Sequence, residues 1–208
     1  IMFPRMRRLY RDHPSDMIVC VHSVFVRPAV YALRRLEMKQ PFVTVITDWA
    51  LPTVLWYDAR ADRTLVPTEP ALELGRALRI PEARMVLTGA PIHPRFTEAR
   101  HTRSEARTAL GWPPDKRIVL LVGGGDGMGP LVETAQAIDS RQTGCELVIV
   151  AGRNEALKTK LEGLKWQGVA RIYGFVDNMP VMMRAADLLV TKAGPATITA
   201  AAAMGLPM

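Results

Sequence analysis

Thr191-Lys192-Ala193-Gly194-Pro195-Ala196-Thr197 joins the apolar run Asp187 to Val190 to an Ala-rich segment that continues to Gly205-Leu206-Pro207. The run reads as a buried parallel strand, and the segment as a helix from Thr197. A strand that ends in a Gly-Pro turn and gives way at once to a helix aims free backbone N–H groups beyond the carboxyl edge of its sheet. The natural ligand of such a turn is an anion, most often a phosphate. A second candidate is Gly123-Gly124-Gly125-Asp126-Gly127-Met128-Gly129-Pro130, again between a strand and a helix. Glycines there let the backbone approach a phosphate or sugar, although the same run also makes a tight strand–helix turn. The next strand ends Val150-Ala151-Gly152-Arg153-Asn154, without the acid that would hold the ribose of NAD. Arg153 and Asn154 suit a charged or polar ligand, or form an exposed loop pair. For a base near an acceptor hydroxyl, His22 and Asp48 stand at strand ends in the first half. Each also suits a loop or capping role.

The elements that must position these residues alternate. Strands are expected over 16–22, 41–47, 63–67 and 84–89, with helices over 27–38 and 69–78 between them. After a Pro-rich section, strands follow over 117–122, 146–151, 170–173 and 187–190, with helices over 130–138, 155–163 and 179–185. Near-continuous apolar strands separated by helices indicate α/β architecture with parallel sheets. The section 90–115 holds Pro91, Pro94, Pro113 and Pro114 and a polar run from Glu98 to Glu105. A short helix from Ser104 to Leu110, capped by Ser104, is expected within it. The resulting division is residues 1–96, a linker 97–115, and 116–208, two doubly wound units with a cleft between their strand-end faces.

The chain has 208 residues, 49% hydrophobic and 23% charged, enough to bury a core. Residues 1–107 carry 17 Lys/Arg against 11 Asp/Glu, and the rest carry 10 against 9, so nearly all the positive excess lies in the first half. Its densest part, Met2-Phe3-Pro4-Arg5-Met6-Arg7-Arg8-Leu9-Tyr10-Arg11, suits an anionic bilayer surface or a helix with a solvated arginine face. Trp49, Trp56 and Tyr57 suit a lipid-facing wall or plain core. Nothing in the sequence has a nucleic-acid recognition pattern. No apolar run reaches the roughly 18–20 residues of a membrane-spanning helix. Cys20 and Cys145 read as buried free thiols without metal-ligand spacing. The chain reads as a fragment trimmed at both ends.

Gly123 to Pro130, Ala151 to Asn154, Tyr173-Gly174-Phe175-Val176 and Thr191 to Thr197, in this order and spacing, resemble the monogalactosyldiacylglycerol synthase family, which includes processive diacylglycerol glucosyltransferases. Pro41 to Asp48 and Gly89-Ala90-Pro91-Ile92-His93-Pro94-Arg95-Phe96 resemble that family's acceptor domain and the start of its linker. The resemblance implies a GT-B fold and an inverting transfer of galactose or glucose from a UDP-sugar to a diacylglycerol-type lipid. It also implies no metal or other cofactor, and peripheral attachment to the cytoplasmic face of the cell membrane. Gly174, Phe175 and Val176, with Met179 nearby, are then expected at the uracil. Gly194, Pro195, Ala196 and Thr197 are expected at the diphosphate, with Lys192 either a phosphate partner or a surface or packing lysine, and Gly124, Gly125, Asp126 and Gly127 near the phosphates and sugar. A helix dipole and N–H donors stand in for a metal in such a site.

The sequence departs from the family pattern at several places. Ala200 stands where the family has the Glu that grips the ribose hydroxyls, a change expected to weaken donor binding by on the order of 2–4 kcal/mol. His93 replaces a common Arg, and Thr47 to Pro52 lacks the family's His. The Gly-rich loop with His and the later Gln/Glu pair are absent from the sequence. A nucleotide-sugar or lipid-binding module without turnover is the alternative.

Overall fold

The computed structural model describes residues 2–49, 51–98 and 101–208. Ala50 of the Thr47–Pro52 loop, and residues 99 and 100 of the expected linker, lie outside the described residues. The chain forms two compact units, residues 1–91 and 92–208.

In the first unit, four parallel strands lie in chain order: β1 (Ile18–Cys20), β2 (Phe42–Val45), β3 (Arg63–Val66) and β4 (Met85–Leu87). Three helices accompany them, α1 (Met2–Asp12), α2 (Ser23–Arg35) and α3 (Glu69–Ala77). One face of the sheet is in the core, where Cys20, Phe42, Val66 and Met85 meet Val26, Val30 and Leu33 of α2 and Ala71 of α3. The alternate positions remain open: Val19 is 53% exposed and Val86 42%, with Val43, Val45 and Leu65 half-buried.

The arginine-rich opening is helix α1, and its apolar groups turn inward. Phe3, Met6 and Tyr10, spaced to share one helix face, pack on the core, and the Tyr10 hydroxyl donates to the Ala29 carbonyl at 2.8 Å. Its four arginines stay exposed. Trp56 and Tyr57 are likewise core residues, each 2% exposed, so they form no lipid-facing wall. Burial pushes the Tyr10 and Tyr57 hydroxyls up to about 12.

The second unit has strand order β7-β6-β5-β8, all parallel, from β5 (Ile118–Val122), β6 (Glu146–Val150), β7 (Ala170–Tyr173) and β8 (Leu188–Thr191). Its helices are α4 (Arg103–Leu110), α5 (Leu131–Asp139), α6 (Glu155–Glu162), α7 (Met179–Ala185) and α8 (Pro195–Ala203). Both sheet faces are covered. Ile118, Leu120, Val148 and Val150 pack with residues of α7 and α8, whereas Val119, Leu121, Leu147 and Ile149 pack with residues of α5 and α6. That double burial is why β5 and β6 read as continuous apolar runs.

Several boundaries moved for local reasons. Helix α2 starts at Ser23, four residues early, because the His22 ring accepts the Val24 N–H. Helix α4 is capped by Thr102, not Ser104: Thr102 and Glu105 form a reciprocal capping box. Helix α8 starts at Pro195, a residue suited to the first helical position. The segment expected as a linker contributes α4 to the second unit, where buried Arg107 donates to the Ala185 and Pro114 carbonyls and pairs with Asp187 at 2.6 Å. Both cysteines are free, but Cys145 is only half-buried.

Candidate functional site

The strand order places a topological switch at β5. From it the chain steps outward through β6 to β7, then returns to the other side as β8. The loops after β5 and β8 therefore diverge above their strand ends, the position where open parallel sheets bind ligands. A Thr191 hydroxyl bond to the Val122 carbonyl, 2.9 Å, ties the two strand ends together.

Above this point lies a cavity of about 260 Å³. Among its walls are Gly124 and Gly125 after β5, Phe175 and Val176 after β7, Met179 at the start of α7, and Ala196, Thr197 and Ala200 of α8. Pro195 has no N–H, and the N–H groups of Ala196 and Thr197 open the helix without intrahelical acceptors. They give the cavity a partly positive end for an anion.

The glycine loop divides into two kinds of residue. Gly127, at φ +61°, turns back so tightly that an added Cβ would lie 2.2 Å from the Ala151 carbonyl. Gly152 is equally confined by the Gly125 and Gly124 carbonyls. The Arg153 N–H donates to the Gly125 carbonyl at 2.8 Å, fastening the loop to the turn after β6. These contacts make Gly127 a packing residue and leave Gly124 and Gly125 on the cavity.

The other expected residues lie around the rim or elsewhere. The Lys192 side chain runs beside Gly124 and is exposed. Arg153 runs beside Gly125, its guanidinium 4.4 Å from the Phe175 ring centre and 3.9 Å from the Asp126 carboxylate. Gly194 is the N-cap of α8, next to Pro195. Gly174 packs near Lys158 and Glu155 of α6. Asn154 is a correction: its side-chain oxygen accepts the Leu157 N–H at 2.9 Å, so it caps α6.

Six cavity residues had no assignment from the sequence: Arg95, Phe96, Val122, Val150, Gly152 and Met183. Val122 and Val150 end β5 and β6, and Met183 lies four residues after Met179 on α7, so strand-end and helix-face rules could have found them. Arg95 and Phe96 could not be placed that way. They reach the cavity through a 3₁₀ turn, Pro94–Phe96, capped by the His93 ring, and Arg95 donates to the Asp177 carbonyl at 3.3 Å.

His22 and Asp48 both lie in the first unit. The His22 Nδ1 accepts the Val24 N–H at 3.3 Å, which uses the lone pair of a neutral ring. One Asp48 oxygen accepts the Trp56 indole N–H at 2.7 Å, and the other has no hydrogen-bond donor among the described residues. Among the described residues, no group of three His, Cys, Asp or Glu side chains is placed to hold a metal.

Residues 1–92 match the family profile described as monogalactosyldiacylglycerol (MGDG) synthase, and residues 118–208 match the glycosyltransferase family 28 C-terminal domain. A probable monogalactosyldiacylglycerol synthase 2, chloroplastic, of Oryza sativa subsp. japonica is 34% identical over 202 residues, covering 93% of this chain and 43% of the relative. The chain thus spans less than half the length of the curated relatives it matches. Among solved structures, a putative UDP-N-acetylglucosamine 2-epimerase from Listeria monocytogenes matches with TM-score 0.65 and 17% identity, covering 93% of this chain and 56% of that one. MurG of Acinetobacter baumannii matches with TM-score 0.61 and 16% identity, covering 98% and 54%. At such identities these two establish the fold alone, the α/β architecture of GT-B proteins.

Proposed function

Because the chain belongs to the monogalactosyldiacylglycerol synthase family of glycosyltransferases, we propose that its protein moves galactose or glucose from a UDP-sugar to a diacylglycerol-type lipid at a membrane surface, with inversion. The observation that carries this reading is the cavity at the switch point, where the glycine turn after β5 and the N-terminus of α8 meet Phe175, Val176 and Met179. In it the diphosphate lies against the Ala196 and Thr197 N–H groups, with Lys192 at the rim. Uracil lies against Phe175, Val176 and Met179. As the sugar bond breaks, negative charge grows on UDP, and the end of α8 and Lys192 offset it without a metal. Arg95 and Arg153 add positive charge nearby. Asp48 takes the proton from the acceptor hydroxyl.

The first unit supports a peripheral site of action. Val24, Phe25, Leu51, Val54 and Leu55 are large apolar side chains left exposed, and α2 carries Arg27, which reaches the Val54 carbonyl at 3.5 Å. With the arginines of α1, they suit an anionic bilayer, here assigned to the cytoplasmic face of the cell membrane. Among the described residues no helix is long and apolar enough to cross a membrane. A second reading, a binding module without turnover, is favoured by Ala200, which is 2% exposed and brings no carboxylate to the cavity.

Calorimetric titration with UDP tests the donor site. Binding in the micromolar range is expected, lost in Gly194→Trp and tightened in Ala200→Glu. Absence of UDP binding overturns the donor-site reading. Transfer of labelled hexose from UDP-galactose or UDP-glucose to diacylglycerol vesicles separates enzyme from binding module.

A further inference from the structure

The second unit has another cavity, about 280 Å³, where the start of α4, the side of α7 and the C-terminal end of α8 meet. His101, Arg103 and Arg184 line it, with Met183 and Leu206 as apolar wall. Two acids lie nearby, and both are occupied. The Asp187 carboxylate serves two guanidiniums, Arg103 at 2.9 Å and Arg107 at 2.6 Å, as well as the Ile118 N–H at 2.8 Å. The Glu105 carboxylate accepts the Thr102 N–H and hydroxyl. Three arginines against two carboxylates leave the cavity net positive before His101 is counted. Arg184 has no salt-bridge partner among the described residues, and its buried Nε–H has no acceptor among them.

A buried N–H without an acceptor is costly, so the Nε–H of half-buried Arg184 gains from an acceptor brought into the cavity. Guanidinium N–H groups match the oxygens of phosphate and carboxylate in shape and charge. The volume, just below the range of sites for drug-sized ligands, has room for a phosphate group. We propose that His101, Arg103 and Arg184 form an oxyanion site, separate from the cavity at the switch point, that takes a phosphate group. The phosphate comes from solution or from a lipid headgroup. Met183 walls both cavities, so the two share one side chain of α7.

Arginine Nε–Hε NMR spectra of the whole chain test this, with inorganic phosphate titrated against chloride at matched ionic strength. A saturable shift of the Arg184 signal is expected with phosphate alone. Arg184→Gln should weaken the phosphate response, read at backbone amides of Thr102 and Arg103, by about tenfold or more, with Arg184→Lys intermediate. Where Arg184→Gln loses its folded amide spectrum, His101→Ala carries the same comparison. Sedimentation with vesicles of neutral lipid, with and without a phosphate-monoester lipid, then names the source. A headgroup source predicts weaker co-sedimentation of Arg184→Gln with the anionic vesicles, and a solution source predicts none. No phosphate-specific shift, or an unchanged response in the variants, overturns the site.

Discussion

The two parallel sheets differ in how they are closed. In the second unit every residue of β5 is buried, alternate ones serving two separate cores. In the first unit only the alternate residues that face α2 and α3 are buried, and Val19 and Val86 look outward. The loops follow the same division. Gly127 after β5 is locked against the turn after β6, whereas Gly89 after β4 would meet nothing within 4 Å if it carried a Cβ. A sheet covered on both faces holds its strand ends, and thus its ligand loops, in one arrangement. The half-covered sheet instead presents apolar surface, a feature suited to a lipid or to further chain.

Leu120→Ala against Val86→Ala should give the largest contrast. Leu120 is 0% exposed, and its truncation leaves a void worth about 3 kcal/mol of stability, against about 0.5 kcal/mol for Val86. Hydrogen exchange resolved by unit would read it, and equal losses would break the comparison. Gly127→Ala should come next. Its new methyl must displace the Ala151 carbonyl at a positive φ, costing about 2–3 kcal/mol, and UDP binding should fall with it. Gly89→Ala, also at positive φ but in open space, should cost only the backbone strain, about 1 kcal/mol.

The smallest effect is electrostatic and belongs to the first unit. Burial raises the Asp62 carboxyl, but the Phe42 N–H at 2.7 Å and the Arg34 guanidinium outweigh it and hold it below the ordinary range. The unfolded chain therefore binds a proton more readily, so this stabilisation is complete above the usual carboxylate pKa of about 4 and fades as pH falls below it. Asp62→Asn should flatten the acid limb of a stability–pH curve for the first unit and leave the second unit's limb unchanged.

The elements themselves were legible because each has a local cause. Strands β5 and β6 are unbroken apolar runs, and β7 and α7 lie where periodicity put them. Helix ends were less legible, since Thr102 and Ser104 are both good caps on paper. Thr102 wins because Glu105 can reach back to it. The site was legible as segments. The glycine turn, Phe175 and Val176, and the Gly-Pro turn meet in one cavity, but which glycines face it was not written in their spacing.

The order of strands and helices and the anion-ready end of α8 follow from residue types along the chain, because capping, periodicity and side-chain chemistry act over a few residues. Only the tertiary structure assigned Gly127 and Asn154 to packing and capping, turned Phe3, Met6 and Tyr10 inward, and brought Arg95 and Phe96 to the cavity. It alone left one sheet face of the first unit open. These outcomes depend on contacts between residues distant in sequence, and no local pattern carries the geometry of such contacts.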